Sequence, residues 1–298
     1  FFLNIIPFLL TGFFVGKYKS KASEKISIPL IKFGIPLSVM GLLLKVGINS
    51  DLIKTAFIAF LSISFFIFLI NYFSFLKKLL PNYSLKLGGL IGNTSFLGIP
   101  IAIALLPTDT INFTIGFDLG TTLFSWIFGP FFLREDNRQT SILNIKTLTS
   151  SILSSPASKG IIGVFVAYLF GIEKFLGEIL WIPAKVVIYL AIIVVGTRLG
   201  IILNEKKKLL QLNKNILYAI FLKLFIFPTF ILILSHLFQF NLVETLALVL
   251  QAATPSAIST ILMAEAYKKN QEISARILFI TTILSITTIP LITLIINI

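Results

Sequence analysis

The chain has 298 residues, 56% of them hydrophobic and only 12% charged, with a mean hydropathy of +0.99. A soluble domain carries roughly 25% charged residues, so a sizeable water-soluble domain is excluded. The absence of cysteine and the single histidine, His236, exclude a disulfide framework, a thiolate nucleophile and a multi-histidine metal centre.

With about 20 apolar residues per bilayer crossing, the sequence predicts spans at 2–16, 28–46, 53–75, 85–107 and 111–133. A polar stretch from Arg134 follows, and further spans are predicted at 157–172, 179–203, 214–237, 242–266 and 273–297. The stretch Phe1–Gly16, which holds the first span, is not read as a cleavable signal peptide, because its basic cluster follows the apolar stretch instead of preceding it. Lysine and arginine concentrate in alternate loops: Lys17, Lys19, Lys21 and Lys25; Lys77, Lys78 and Lys86; Arg134, Arg138, Lys146 and Lys159; Lys206, Lys207, Lys208 and Lys214; Lys268, Lys269 and Arg276. The other loops hold only Lys45, Lys54 and Lys174 beside several carboxylates. By the positive-inside rule the basic loops are cytoplasmic and both termini lie outside. The net charge of +13 is therefore read as orientation in a lipid bilayer and not as nucleic-acid binding.

Five spans per half is an odd number, so the halves enter the membrane with opposite orientation. A shift of 155 residues lays Gly16 on Gly171, Gly41 on Gly196 and Pro100 on Pro255. The organisation expected is a first five-helix repeat over 1–133, a cytoplasmic linker over 134–156 and a second repeat over 157–298.

The fourth and ninth spans are interrupted at corresponding points, by GNTSFLGIPIAIALL (Gly92–Leu106) and QAATPSAISTILMAEAY (Gln251–Tyr267). Proline removes a backbone donor and clashes with the preceding turn, so each helix is expected to kink or unwind. Freed backbone groups at membrane depth are tolerated only where protein buries them or they line a cavity. A matched pair of breaks points to the binding site of a transporter built from two repeats.

The residues at the breaks resemble the auxin efflux carrier family, which includes bacterial malate and malonate permeases. The resemblance rests on Asn93-Thr94 with Gly98-Ile99-Pro100, and on Gln251-Ala252-Ala253 with Pro255, Ala264 and Tyr267. Pro7, Pro36, Gly196 with Leu199, Pro228 and the run Thr281–Pro290 add to it. It implies an all-α fold of ten transmembrane helices as two inverted repeats, with broken helices four and nine crossing at the bilayer centre. Sodium/bile-acid symporters and some sodium/proton antiporters share that architecture. It also implies that spans one, two, six and seven form a scaffold and homodimer surface, while spans three to five and eight to ten move as a transport unit. The short central linker resembles the bacterial type, which implies the bacterial inner membrane.

At each break a half-helix N-terminus presents partial positive charge, which suits a carboxylate. The expected substrate-binding residues are Asn93, Thr94, Ser95, Pro100, Gln251, Thr254, Pro255 and Ser256. The alternative use of these polar groups is to satisfy backbone that the prolines free. Asp118 and Lys223, ionisable residues inside spans, are candidates for a coupling proton or sodium site, and Lys185 for attracting an anion. The reading is a secondary or facilitative transporter of small mono- or dicarboxylates working by alternating access, needing no cofactor. The alternatives are a sodium-coupled symporter on the same fold and a non-transporting sensor. No nucleophile–base constellation or nucleotide-binding motif points to an enzyme.

Overall fold

The computed structural model describes residues 2–19, 29–133, 156–205, 211–266 and 270–296. The linker expected at 134–156 lies outside them apart from Pro156. Every named element among the described residues is helical. Helix α1 covers Phe2–Tyr18, and α2 (Ile35–Val46) is entered from a π turn at Leu30–Gly34. Then come α3 (Ser50–Tyr72), α4 (Ser74–Leu79) and α5 (Tyr83–Leu90). A second π turn, Thr94–Gly98, leads into α6 (Ile99–Leu105), and α7 covers Ile111–Leu133. The later half holds α8 (Pro156–Leu169), α9 (Glu173–Glu205) and α10 (Lys214–Phe221). The latter passes through a π turn at Leu222–Ile226 into α11 (Phe227–Leu237). Helices α12 (Leu242–Ala252), α13 (Ile258–Ala266) and α14 (Gln271–Ile296) complete the chain.

Among the described residues, four helical stretches are long and apolar enough to cross a membrane: Ser50–Tyr72, Glu173–Asn204, Lys214–Leu237 and Gln271–Ile296. Their outer faces are apolar. On α3, Ile53, Phe57, Leu61, Phe65 and Phe68 recur at helical spacing and are all exposed. A stripe of that kind would aggregate in water and is the ordinary lipid-facing surface of a membrane helix. The chain is thus an all-α, multi-pass membrane protein.

Local chemistry explains the helix starts. Asn49, Asn82 and Asn213 each accept backbone amides at the N-termini of α3, α5 and α10, and Asn241 forms a capping box with Glu244 at α12. The π turns share a cause as well. Each ends two residues before a proline, Pro36, Pro100 or Pro228. The proline ring presses on the carbonyl four residues earlier, and the wider π turn makes room for it.

Glycines set the closest helix contacts. A Cβ built on Gly12 of α1 would lie 2.0 Å from the Ile193 carbonyl oxygen of α9, and one on Gly196 would lie 2.0 Å from that of Leu9. With Gly16 and Gly200 they make paired small-xxx-small faces, which let membrane helices pack backbone to backbone. Gly120 of α7 does the same against the Ala56 carbonyl of α3, at 2.1 Å. Gly196→Leu is therefore expected to destabilise the protein by about 1–3 kcal/mol through overpacking, read as a lower thermal-unfolding temperature in detergent.

Helix α9 packs on α1 and α2, and α2 packs on α8; separately, α3 packs on α7, α5 on α10 and α14, and α11 on α12. Two details differ from expectation. Helix α9 begins at Glu173, ahead of the span expected from 179, and runs through Pro183. Lys86, read as a loop cation, is buried on α5 and donates to Asn71 Oδ1 at 2.7 Å. Its stem and the neighbouring Tyr83 ring shelter the ammonium, which lies 4.6 Å from the ring centroid.

Candidate functional site

The helical path stops after Leu90 of α5 and again after Ala252 of α12, and the two interruptions lie against each other. The Asn93 amide donates to the Pro255 carbonyl at 2.7 Å, and the Ala257 amide donates to that of Ile91 at 3.0 Å. These bonds form an isolated antiparallel bridge between Gly92 and Ser256. Each break thereby satisfies backbone groups that the other frees, which meets the requirement for irregular backbone inside a membrane protein. Only glycine fits at 92, since a Cβ there would lie 2.4 Å from Thr254 Oγ1 and 3.0 Å from Lys223 Nζ.

The two prolines play different parts. Pro255 lies inside its break and contributes the carbonyl that receives Asn93. The first break, at 91–93, lies ahead of Pro100, which sits on the continuous helical path from the π turn Thr94–Gly98 into α6.

Asn93 occupies the N-terminal cap position of the π turn Thr94–Gly98, yet its side chain makes no capping bond. That sets it apart from Asn49, Asn82, Asn213 and Asn241, all of which cap their helices. Its backbone carbonyl instead receives the amides of Leu97 and Gly98, and its side chain is buried.

Asp118 of α7, fully buried, joins this cluster. Thr94 and Ser95 each donate a hydroxyl to its Oδ1 at 2.5 Å. Its Oδ2 makes no hydrogen bond among the described residues. Thr94 and Ser95 therefore anchor the π turn to α7 and do not cap their own turn.

On the other break, Gln251 is completely buried in the last turn of α12, and neither its Oε1 nor its Nε2 has a partner among the described residues. The amide lies against Gly98, where a Cβ would come 2.2 Å from Oε1. Thr254 turns inward on its own chain and donates to the Gln251 carbonyl at 2.7 Å. The Ser256 amide donates to Thr281 Oγ1 at 3.1 Å, while the Ser256 Oγ is buried without a partner among the described residues. Unpaired buried polar atoms each cost about 1–3 kcal/mol; among the described residues Asp118, Gln251 and Ser256 carry such atoms near the bridge, and Ser62, Asn112, Ser274 and Thr288 carry others.

Lys223, from the π turn Leu222–Ile226, is also brought here. It is fully buried, and its ammonium donates to the Ala252 carbonyl at 2.7 Å. Lys185 is placed differently. It lies on α9 with its ammonium 4.2 Å from the Trp181 ring centroid, and no hydrogen bond joins it to the crossover among the described residues.

Sequence reasoning missed two participants. Thr281 supports Ser256 from α14; its only signal was its place at the head of a threonine-rich run. Gly98 leaves the space that Gln251 uses. Gly98→Ala is expected to displace the Gln251 amide and press on Thr254 Cγ2, 2.9 Å from the new Cβ, lowering the unfolding temperature in detergent through overpacking. Beside the crossover, a narrow cleft lies between α1, the second π turn with α6, and α14. Ile5, Leu9, Leu97 and Ile101 give it apolar walls, and Thr282 and Ser285 add hydroxyls.

A family model described as "Membrane transport protein" matches residues 133–293, just over half of the chain. Over 314 aligned residues the chain is also 25% identical to an uncharacterized transporter of Methanocaldococcus jannaschii, covering 97% of this chain and 96% of that protein.

Proposed function

This chain belongs to the membrane transport protein family of the auxin efflux carriers, and from that premise we propose that it carries small organic anions across the membrane by alternating access. The observation that carries this reading is the bridge between the two breaks, with the unpaired polar atoms of Gln251 and Ser256 beside it. Asn93 and Gln251 contact the substrate carboxylate, and the amides opening the second half-helices supply the positive end of a dipole. Neutral donors bind an anion moderately, which allows release on the far side. Mono- or dicarboxylates of the malate and malonate class are the proposed cargo, and Asp118 is the proposed coupling carboxyl.

The same reading assigns two inverted five-helix repeats, 1–133 and 157–298, joined by a cytoplasmic linker, with both termini outside the bacterial inner membrane. The packing of α1, α2, α8 and α9 on one another supports a scaffold, and a homodimer is proposed to form through it. The contacts of α3 with α7, α5 with α10 and α14, and α11 with α12 support a separate moving unit. The cleft between α1 and α14 lies where these two bodies meet.

The test is uptake of a panel of labelled carboxylates into proteoliposomes under imposed proton, sodium and voltage gradients. Saturable flux of at least one small carboxylate is expected. Folded, reconstituted protein that moves none of them would overturn the proposal.

A further inference from the structure

An anion site has no need of a lysine tied to a backbone carbonyl, and Lys223 is such a lysine. We propose that its ammonium is a built-in cation of the crossover, occupying the role that a coupling sodium ion plays in carriers with broken helices, so that this chain works without sodium. The inference rests on the transport reading above and deepens it.

The first ground is what the ammonium touches. Ala252 is the last residue of α12, and its carbonyl, which receives Lys223 at 2.7 Å, belongs to the exposed negative end of that half-helix. Carriers with discontinuous helices hold their coupling cations at these half-helix C-terminal ends and unwound carbonyls. Here a covalently attached cation already sits there.

The second ground is how completely the side chain is committed. Lysine is almost never fully buried without a partner, yet Lys223 is 0% exposed, and among the described residues no carboxylate lies within ion-pairing distance of it. Its Nζ meets the Ala252 carbonyl dipole and lies 5.2 Å from the Phe227 ring centroid. A lysine kept only to neutralise an acid would face that acid.

The third ground is the backbone around it. The π turn before Pro228 sets where Lys223 lies. Across the crossover, Gly92 leaves its side-chain space open, and a Cβ there would lie 3.0 Å from Nζ. The ammonium therefore rests against the bridge between the two breaks, where a freely exchanging cation would have to bind.

The test uses the full chain and sodium itself as the probe. Thermal unfolding in detergent is measured in sodium chloride and in choline chloride, and uptake of labelled malate and malonate is measured with and without a sodium gradient. Wild-type protein is expected to unfold at the same temperature in both salts and to transport equally with either cation. Lys223→Ala is expected to lose most of its flux and to regain part of it, with a rise in unfolding temperature, when sodium or ethylammonium is supplied; Lys223→Arg should retain sodium-independent behaviour. Sodium-dependent stability or uptake in the wild type would overturn the inference, as would undiminished flux in Lys223→Ala. If Lys223→Ala does not fold, Lys223→Met takes its place in the same comparison, because sodium independence of the wild type alone also follows from proton coupling through Asp118. Absence of carboxylate flux together with sodium-independent unfolding would instead count against the transport reading.

Discussion

Gln251→Met is expected to make the protein more stable and transport worse. The substitution keeps the volume of a side chain that is wholly buried while removing Oε1 and Nε2, neither of which has a partner among the described residues. Two unpaired polar atoms at about 1–3 kcal/mol each outweigh the small cost of a volume-conserving swap, which is usually below about 1.5 kcal/mol. Thermal unfolding in detergent should therefore shift upward. The same amide is the proposed carboxylate contact, and losing a hydrogen bond to a charged group removes about 1.5–3 kcal/mol, or roughly tenfold or more in flux. A residue kept only for packing would show the reverse pattern, with transport preserved while stability falls.

The second large effect is expected at Asp118, where two substitutions separate two roles. Asp118→Ala removes the acceptor of both the Thr94 and Ser95 hydroxyls, so the π turn at the first break loses its anchor to α7. At about 1.5–3 kcal/mol for each hydrogen bond to a charged group, flux should fall by well over tenfold. Asp118→Asn retains a carbonyl oxygen for both hydroxyls but cannot ionise. It is expected to fold and to catalyse exchange of internal for external substrate, while uphill accumulation driven by a proton gradient is lost. Counterflow and gradient-driven uptake, measured on the same proteoliposomes, separate the two. Accumulation equal to wild type in Asp118→Asn would remove this carboxyl from the coupling role.

The breaks were legible in the sequence because few residues tolerate such backbone. Small and polar residues around Pro100 and Pro255 stand out in a chain that is otherwise apolar, and the capping asparagines mark helix starts just as visibly. What could not be read was where those residues point. Thr94 and Ser95 look like cap residues for the turn they open, but they are bonded to Asp118, more than twenty positions away. That pairing depends on how α7 packs, a long-range fact without local signature. Lys223 was suspect only for lying mid-span; its approach to Ala252 depends on the π turn that carries it. Lys86 misled for a related reason. It sits next to a basic loop and reads as part of it, whereas the fold offers it Asn71 and the Tyr83 ring.

Whether the paired breaks form the anion site is decided by counterflow of labelled malonate and malate in proteoliposomes, with wild type, Asn93→Ala and Gln251→Met compared side by side. Saturable counterflow is expected in the wild type and a loss of about tenfold or more in each variant, with all three proteins folded and equally reconstituted. Wild-type rates in both variants would contradict that assignment.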